Sequence, residues 1–361
     1  VGFTKKMLVK CFNNNQPKVM KVLSGPIVRH LFMTLFVAGA SACYGQQSPA
    51  VGQNGTAATG NKQVNSNKFS TGQVWNDVTG EMINAHGGGL LFKNNTYYWY
   101  GESRGNRASR GVNVYSSKDL YSWKPEGLAL AQEEDTTSDI TRGCVMERPK
   151  VIYNARTGKY VMWFHLELKG KGYSAARAGV AISDNPTGPF KFIKSFRPND
   201  NMSRDMTLFV DDDGSAYHIY SSRENYDLRI AKLTPDYLSV TAKDSMLFSK
   251  HREAPAVFKY KSKYYLITSG CTGWAPNKAS LHVADALYGP WQLVGDPMVG
   301  PGAELTFEGQ STYIQPVYGK KDAFIFMADK WNPKDLKNSR YIWLPVQFNN
   351  NIPVIEWKDE W

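Results

Sequence analysis

Residues 252–270 read "REAPAVFKYKSKYYLITSG". Two runs rich in aromatic and β-branched residues flank the polar turn Lys261-Ser262-Lys263, which predicts a hairpin of two buried strands. Glu253 stands at the mouth of the first strand. A carboxylate there is costly unless it is paired or used.

The same template occurs four more times. It appears as "AHGGGLLFKNNTYYWYGES" from Ala85, "ERPKVIYNARTGKYVMWFH" from Glu147, "RDMTLFVDDDGSAYHIYSS" from Arg204 and "QSTYIQPVYGKKDAFIFMAD" from Gln310. Each unit has a polar start, an apolar strand, a polar turn and a second strand rich in Tyr and Phe. Further strand-and-turn stretches follow most hairpins, such as "GVAISDNPTGPFKFI" and "LHVADALYGPWQLVG". Five units of four strands predict an all-β, five-bladed β-propeller. A β-sandwich with chance similarity between its hairpins is the competing fold. The tail "SRYIWLPVQFNNNIPVIEW" reads as a last β segment that closes the ring.

The first strand of each blade lines the central channel of a propeller. The residues that open the five units therefore converge on one funnel: His86, Glu147, Asp205, Glu253 and Gln310. Crowded carboxylates in a partly dry site raise one another's pKa, so one stays protonated near neutral pH. A neutral acid beside ionised groups is what glycosidic bond cleavage requires. The bland alternative is that these acids cap strands or pair with Arg148, Arg204 and Arg252. Adjacent strand residues face opposite ways, which argues against such pairs.

These motifs, with "GQSTYI" and "CTGW", resemble glycoside hydrolase family 43 over roughly residues 73–348, and within it the exo-β-1,3-galactanases. The resemblance implies Glu253 as general acid and Asp205 as the group that orients it and tunes its pKa. It implies that Glu102 and Glu147 bind sugar hydroxyls, that Tyr173 and Thr272 line the sugar subsite, and that Trp274 is a stacking platform. Many family members open the first blade with an Asp base, where this chain has His86 and three glycines. The galactanase-like branch shares that departure, and the resemblance gives the water to Gln310. Glu147, Glu102 and His86 are rivals for the base. The implied reaction is an inverting removal of terminal β-1,3-linked galactose from galactan or arabinogalactan. The alternatives are an α-L-arabinofuranosidase, a β-D-galactofuranosidase, or a carbohydrate-binding propeller without catalysis.

The rest of the chain narrows the class. There are 20 Tyr, 17 Phe and 10 Trp, a composition that suits stacking on sugar rings as well as core. The formal net charge is +11, but residues 1–45 hold six Lys and Arg and no acid. The remaining basic residues are scattered, so no nucleic-acid surface is expected. No zinc spacing, phosphate loop or cofactor motif is present, and "DDDG" at 211–214 reads as a hairpin turn rather than a calcium loop. The glycines at 87–89 are expected to let the backbone approach the sugar. Residues 1–45 read as a signal peptide region with Met20 as the true start, followed by a disordered linker at 46–70 and the propeller at 71–361. Export to the periplasm or outside the cell follows, with ordinary cleavage near Gly45 or lipid anchoring through Cys43. No membrane span is expected in the mature chain, and a monomer is. Cys144 and Cys271 either pair or stay free.

Overall fold

The structure, a computed structural model, describes residues 67–105 and 109–361. The expected signal peptide, Cys43 and nearly all of the linker lie outside the described residues.

Blade I comprises β1 (His86–Lys93), β2 (Thr96–Arg104), β3 (Ser109–Ser117) and β4 (Lys124–Ala131). Blade II follows with β5 (Val145–Asn154), β6 (Lys159–Glu167), β7 (Arg177–Ser183) and β8 (Lys191–Phe196). Blade III has β9 (Met206–Val210), β10 (Ala216–Ser222), β11 (Asp227–Leu233) and β12 (Val240–Ser249). Blade IV has β13 (Arg252–Tyr260), β14 (Lys263–Gly270), β15 (Ser280–Ala284) and β16 (Gln292–Gly295). Blade V adds a fifth strand: β17 (Met298–Val299), β18 (Gln310–Pro316), β19 (Phe324–Lys330), β20 (Arg340–Asn349) and β21 (Ile352–Glu356). Its order is β17-β21-β20-β19-β18, with β17 parallel to β21.

The innermost strands β1, β5, β9, β13 and β18 each touch the next, and β18 touches β1, so the five blades close into a ring. This is the five-bladed β-propeller the repeats predict. The tail supplies the third and fourth strands of blade V. The ends of the domain also meet: Phe69 N–H donates to Trp361 O at 3.0 Å, and the Phe69 ring packs on Trp361 and Tyr121 with centroids 4.6 Å away. Phe69 and Ser70, expected in the tether, are thus part of the domain. An aromatic ring 4% exposed in the core outweighs the polar composition around it.

The hairpin tips follow from their sequences. Asn94-Asn95, Lys261-Ser262 and Asn350-Asn351 all take left-handed angles at both positions, as tight turns matched to strand twist require. Asp211 of the "DDDG" turn accepts from Lys259 and Tyr264, which seats it as a hairpin turn. The second strands are apolar because blades cover both their faces: β6, "KYVMWFHLE", is buried from Tyr160 to Glu167. Five apolar clusters result, one between each pair of adjacent blades. Phe164 lies between blades I and II and Phe326 between IV and V, both fully buried. Each such side chain contributes about 1.5–3 kcal/mol relative to exposure. Cys144 and Cys271 are free thiols. Among the described residues no helix is long and apolar enough to cross a membrane.

Candidate active site

The inner strands share a local irregularity where they enter the funnel. Pairing slips between His86 and Gly89, between Glu147 and Lys150, and between Glu253 and Ala256. Within each slip one residue turns left-handed: Gly87 at φ 61°, Arg148 at 54° and Ala254 at 54°. A bulge of this kind breaks the two-residue alternation. In blade II it lets Glu147 and Arg148, neighbours in sequence, both face the funnel.

The funnel holds a cavity of about 240 Å³. Its walls carry Glu102 from blade I, Glu147 from II, Asp205 before β9, Glu253 from IV and Gln310 from V, with Tyr173 and Trp274 at the rim. Arg104, Arg148 and Trp331 complete it, and sequence reasoning missed all three as site residues. Alternation placed Arg148 on the wrong face. Arg104 and Trp331 lie at strand ends with no motif to mark them.

Arg148 is the hub. Its Nη2 lies 2.9 Å from Asp205 Oδ2 and donates to Gln310 Oε1 at 2.5 Å. Its Nη1 donates to Ser311 O, and its backbone N–H donates to Glu102 Oε1 at 3.0 Å. Glu253 lies on the other side of Gln310. Gln310 Nε2 donates to Glu253 Oε1 at 2.9 Å, and Asn225 Nδ2 donates to Glu253 Oε2 at 2.9 Å. Burial first, and then the charge of Asp205, push the Glu253 carboxyl up to about 7 against the opposing pull of Arg148.

Blades I and II carry a second network. Arg104 Nε donates to Glu102 Oε2 at 2.6 Å and its Nη2 to Glu147 Oε1 at 3.0 Å. Tyr173 Oη donates to the same Glu147 oxygen at 2.8 Å. His165 sits between two carboxylates, with Nδ1 3.3 Å from Glu147 Oε2 and Nε2 2.8 Å from Glu167 Oε1. The first contact is close enough for charge attraction but is not aligned as a hydrogen bond. Burial would lower the imidazole, yet the two carboxylates outweigh it and raise it to about 9. Burial likewise pushes Glu147 up, but His165 and Arg104 hold it far below the usual carboxylate range. Glu102 goes the other way, raised by burial and by Glu147.

Glu147, His165 and Asp205 bring three donor atoms within 4.8 Å of one another.

One expected sugar contact is corrected. His86 is fully buried outside the cavity, with Nδ1 3.1 Å from Asp329 Oδ1, Nε2 3.3 Å from Lys337 O, and its ring stacked on Tyr341. Both nitrogens are engaged in joining blades I and V, so it neither meets sugar nor serves as base. Thr272 spends its hydroxyl on Ala275 O and Asn277 Nδ2, shaping the loop that carries Gly273 and Trp274 to the cavity. The glycines at 87–89 are corrected too. A Cβ at Gly87 would lie 2.1 Å from Glu102 Oε1, one at Gly88 1.9 Å from Tyr100 O, and one at Gly89 2.7 Å from Lys150 Cδ. They make room for neighbouring protein groups.

Comparison with known proteins agrees with this geometry. The model of glycosyl hydrolases family 43 matches residues 90–353. A family 43 β-1,3-galactosidase solved with galactodeoxynojirimycin is 50% identical over 81% of this chain and 99% of its own, with a TM-score of 0.80. The exo-β-1,3-galactanase of Phanerochaete chrysosporium, solved with β-1,3-galactotriose, is 37% identical over 81% of this chain and 68% of its own, with a TM-score of 0.76. The exo-β-1,3-galactanase of Clostridium thermocellum is 38% identical over 82% and 66%, with a TM-score of 0.74. The comparison with curated proteins returns no match. A five-bladed propeller, a carboxylate-lined funnel and a family match across most of the chain lead to one assignment: the chain belongs to glycoside hydrolase family 43.

Proposed function

We propose that this enzyme is an exported, exo-acting β-1,3-galactosidase that inverts the anomeric centre, with Glu253 as general acid. The observation that carries the reading is the Glu253 carboxyl, raised to about 7 on the wall of a cavity lined from all five blades. About half of it carries a proton at pH 7, and that proton can pass to the glycosidic oxygen. Asp205 keeps that proton in place by its charge, and Arg148 keeps Asp205 paired. The small cavity suits one terminal sugar, with Trp274 and Trp331 set edge to face 5.3 Å apart on its wall.

In a five-membered ring the blades not adjacent to IV are I and II. Glu102 and Glu147 therefore face Glu253 across the funnel, while Gln310 touches it from the side. Inversion needs acid and water on opposite faces of the sugar, with carboxyl groups roughly 6.5–9.5 Å apart. The attacking water lies against Gln310 and this far wall. Glu147 is the poorest proton acceptor there, because its neighbours hold it ionised.

The test is release of galactose from β-1,3-galactobiose, with ¹H NMR reading the first anomer formed. α-Galactose from the wild type, and a loss of about 10²–10⁴-fold in Glu253→Gln, are expected. β-Galactose first would reject inversion. Cleavage of arabinofuranosides or galactofuranosides in place of galactobiose would move the substrate. Export is checked by mass spectrometry of the mature N-terminus, expected between residues 43 and 46.

A further inference from the structure

One neighbour of Glu253 comes from a turn rather than a strand. Asn225 ends the run Arg223, Glu224, Asn225 between β10 and β11, and all three residues are left-handed, with φ 47°, 56° and 64°. Non-glycine residues in this region are strained and persist where the surroundings fix them. Here Arg223 clamps Asp227 with two hydrogen bonds of 2.7 and 2.8 Å, and Glu224 pairs with Arg204. The turn so held delivers Asn225 Nδ2 to Glu253 Oε2 at 2.9 Å.

That contact, with Gln310 Nε2 on the other oxygen, gives Glu253 two amide donors. Two donors suit a carboxylate, whereas a general acid must begin the reaction with a proton on one oxygen. Asn225 Oδ1 is buried and has no hydrogen-bond partner. A half-turn of the carboxamide exchanges its two ends and brings this acceptor to Glu253 Oε2.

We propose that Asn225 is a positioning residue that follows the proton of Glu253. Its amide donates to the ionised carboxylate and turns over to accept from the neutral acid while the site is empty; when substrate binds, the O–H swings from Asn225 Oδ1 to the glycosidic oxygen. The inference rests on Glu253 as general acid. In the reaction the Glu253 O–H bond breaks and the proton joins the glycosidic oxygen. That oxygen takes the electron pair of the broken C1–O bond, and water supplies the new C1–O bond, losing its proton to the Glu102 carboxylate on the far wall. Glu253 is left ionised and Asn225 returns to donating. The same amide thus holds the carboxyl in one orientation through both protonation states. The other groups facing Glu253 are Asp205 before β9, Arg148 from β5, Cys271 after β14 and Gln310 from β18. None of them lies on the turn that carries Asn225.

Asn225→Gly removes the amide and suits a left-handed position, so the fold is kept. The kcat/KM of wild type, Asn225→Gly and Glu253→Gln on β-1,3-galactobiose is followed from pH 5 to 9. The side-chain amide of ¹⁵N-labelled Asn225 is followed by NMR over the same range without substrate. A residue that serves both protonation states alike leaves the alkaline limb of Asn225→Gly within about 0.3 pH unit of wild type, while kcat falls about tenfold. The wild-type amide resonance moves with a midpoint near that of Glu253 and is flat in Glu253→Gln. A limb shifted up by a full unit would mean a fixed donor and would overturn the proposal. So would unchanged kcat or an amide resonance indifferent to pH. Full activity in Glu253→Gln would remove the acid assignment itself, a separate outcome.

Discussion

Replacing Gly87 by Ala tests what the glycine run is for. The new Cβ would lie 2.1 Å from Glu102 Oε1 and 2.9 Å from Glu102 Cδ, so the carboxylate must leave its seat. Leaving breaks the bond from the Arg148 N–H and loosens the one from Arg104. Losing a hydrogen bond to a buried charge costs about 1.5–3 kcal/mol. The backbone at φ 61° adds about 1–2 kcal/mol for any residue with a Cβ. Together the loss is roughly 3–5 kcal/mol, or about 10 °C in melting temperature for a domain of this size. Gly80→Ala is the control: φ is 90°, nothing lies within 4 Å of its Cβ, and only the backbone cost applies. Differential scanning calorimetry of both variants separates the two contributions. Glycines that served close approach of the sugar would give Gly87→Ala a raised KM but the melting temperature of the control. Melting within about 2 °C of Gly80→Ala would refute the seat described for Glu102.

Three further outcomes follow from the charges. Because Glu253 acts in its protonated form, activity falls as pH rises through about 7, and Asp205→Asn, by removing the charge that raises it, moves that limb to lower pH. His165 is raised to about 9 from an ordinary value near 6.5, so its contribution, of order 3 kcal/mol, is complete below about pH 6.5 and lost as pH rises through about 9. Urea unfolding of wild type and His165→Gln at pH 6 and 9.5 is expected to show the gap closing at the higher pH. Trp274→Ala, which removes a ring 42% exposed at the rim, raises KM several-fold with little change in kcat, as steady-state kinetics on galactobiose would show.

The ring was legible because each blade repeats one hairpin, and the polar residue that opens each inner strand is visible by alignment within the chain. That reasoning brought Glu147, Asp205, Glu253 and Gln310 to one cavity. It failed at His86 because position in the repeat does not say which way a side chain turns beside a bulge. It failed at Arg148 for the same reason in reverse: Arg148 is itself the left-handed residue of the bulge, which puts its side chain on the face that alternation denies it. Asn225 carried no signal, since the three left-handed residues before β11 contain no glycine to announce them. The polar surroundings of Phe69 hid a residue whose partners lie at the far end of the chain.

The repeated bulge gives three blades one equivalent kinked position at the funnel. Arg148, Gly87 and Ala254 occupy the same kink in three blades, yet only blade II fills it with a functional side chain. The space at Gly87 is taken by a carboxylate borrowed from the neighbouring strand, and Ala254 is a methyl group 2% exposed beside the acid. A change at Ala254 would therefore act on the residue next to Glu253 without altering strand register, and its effect would come through the packing around a methyl group 2% exposed. Diversity of substrate in such a ring would then be written at the kinks, while the blades stay constant.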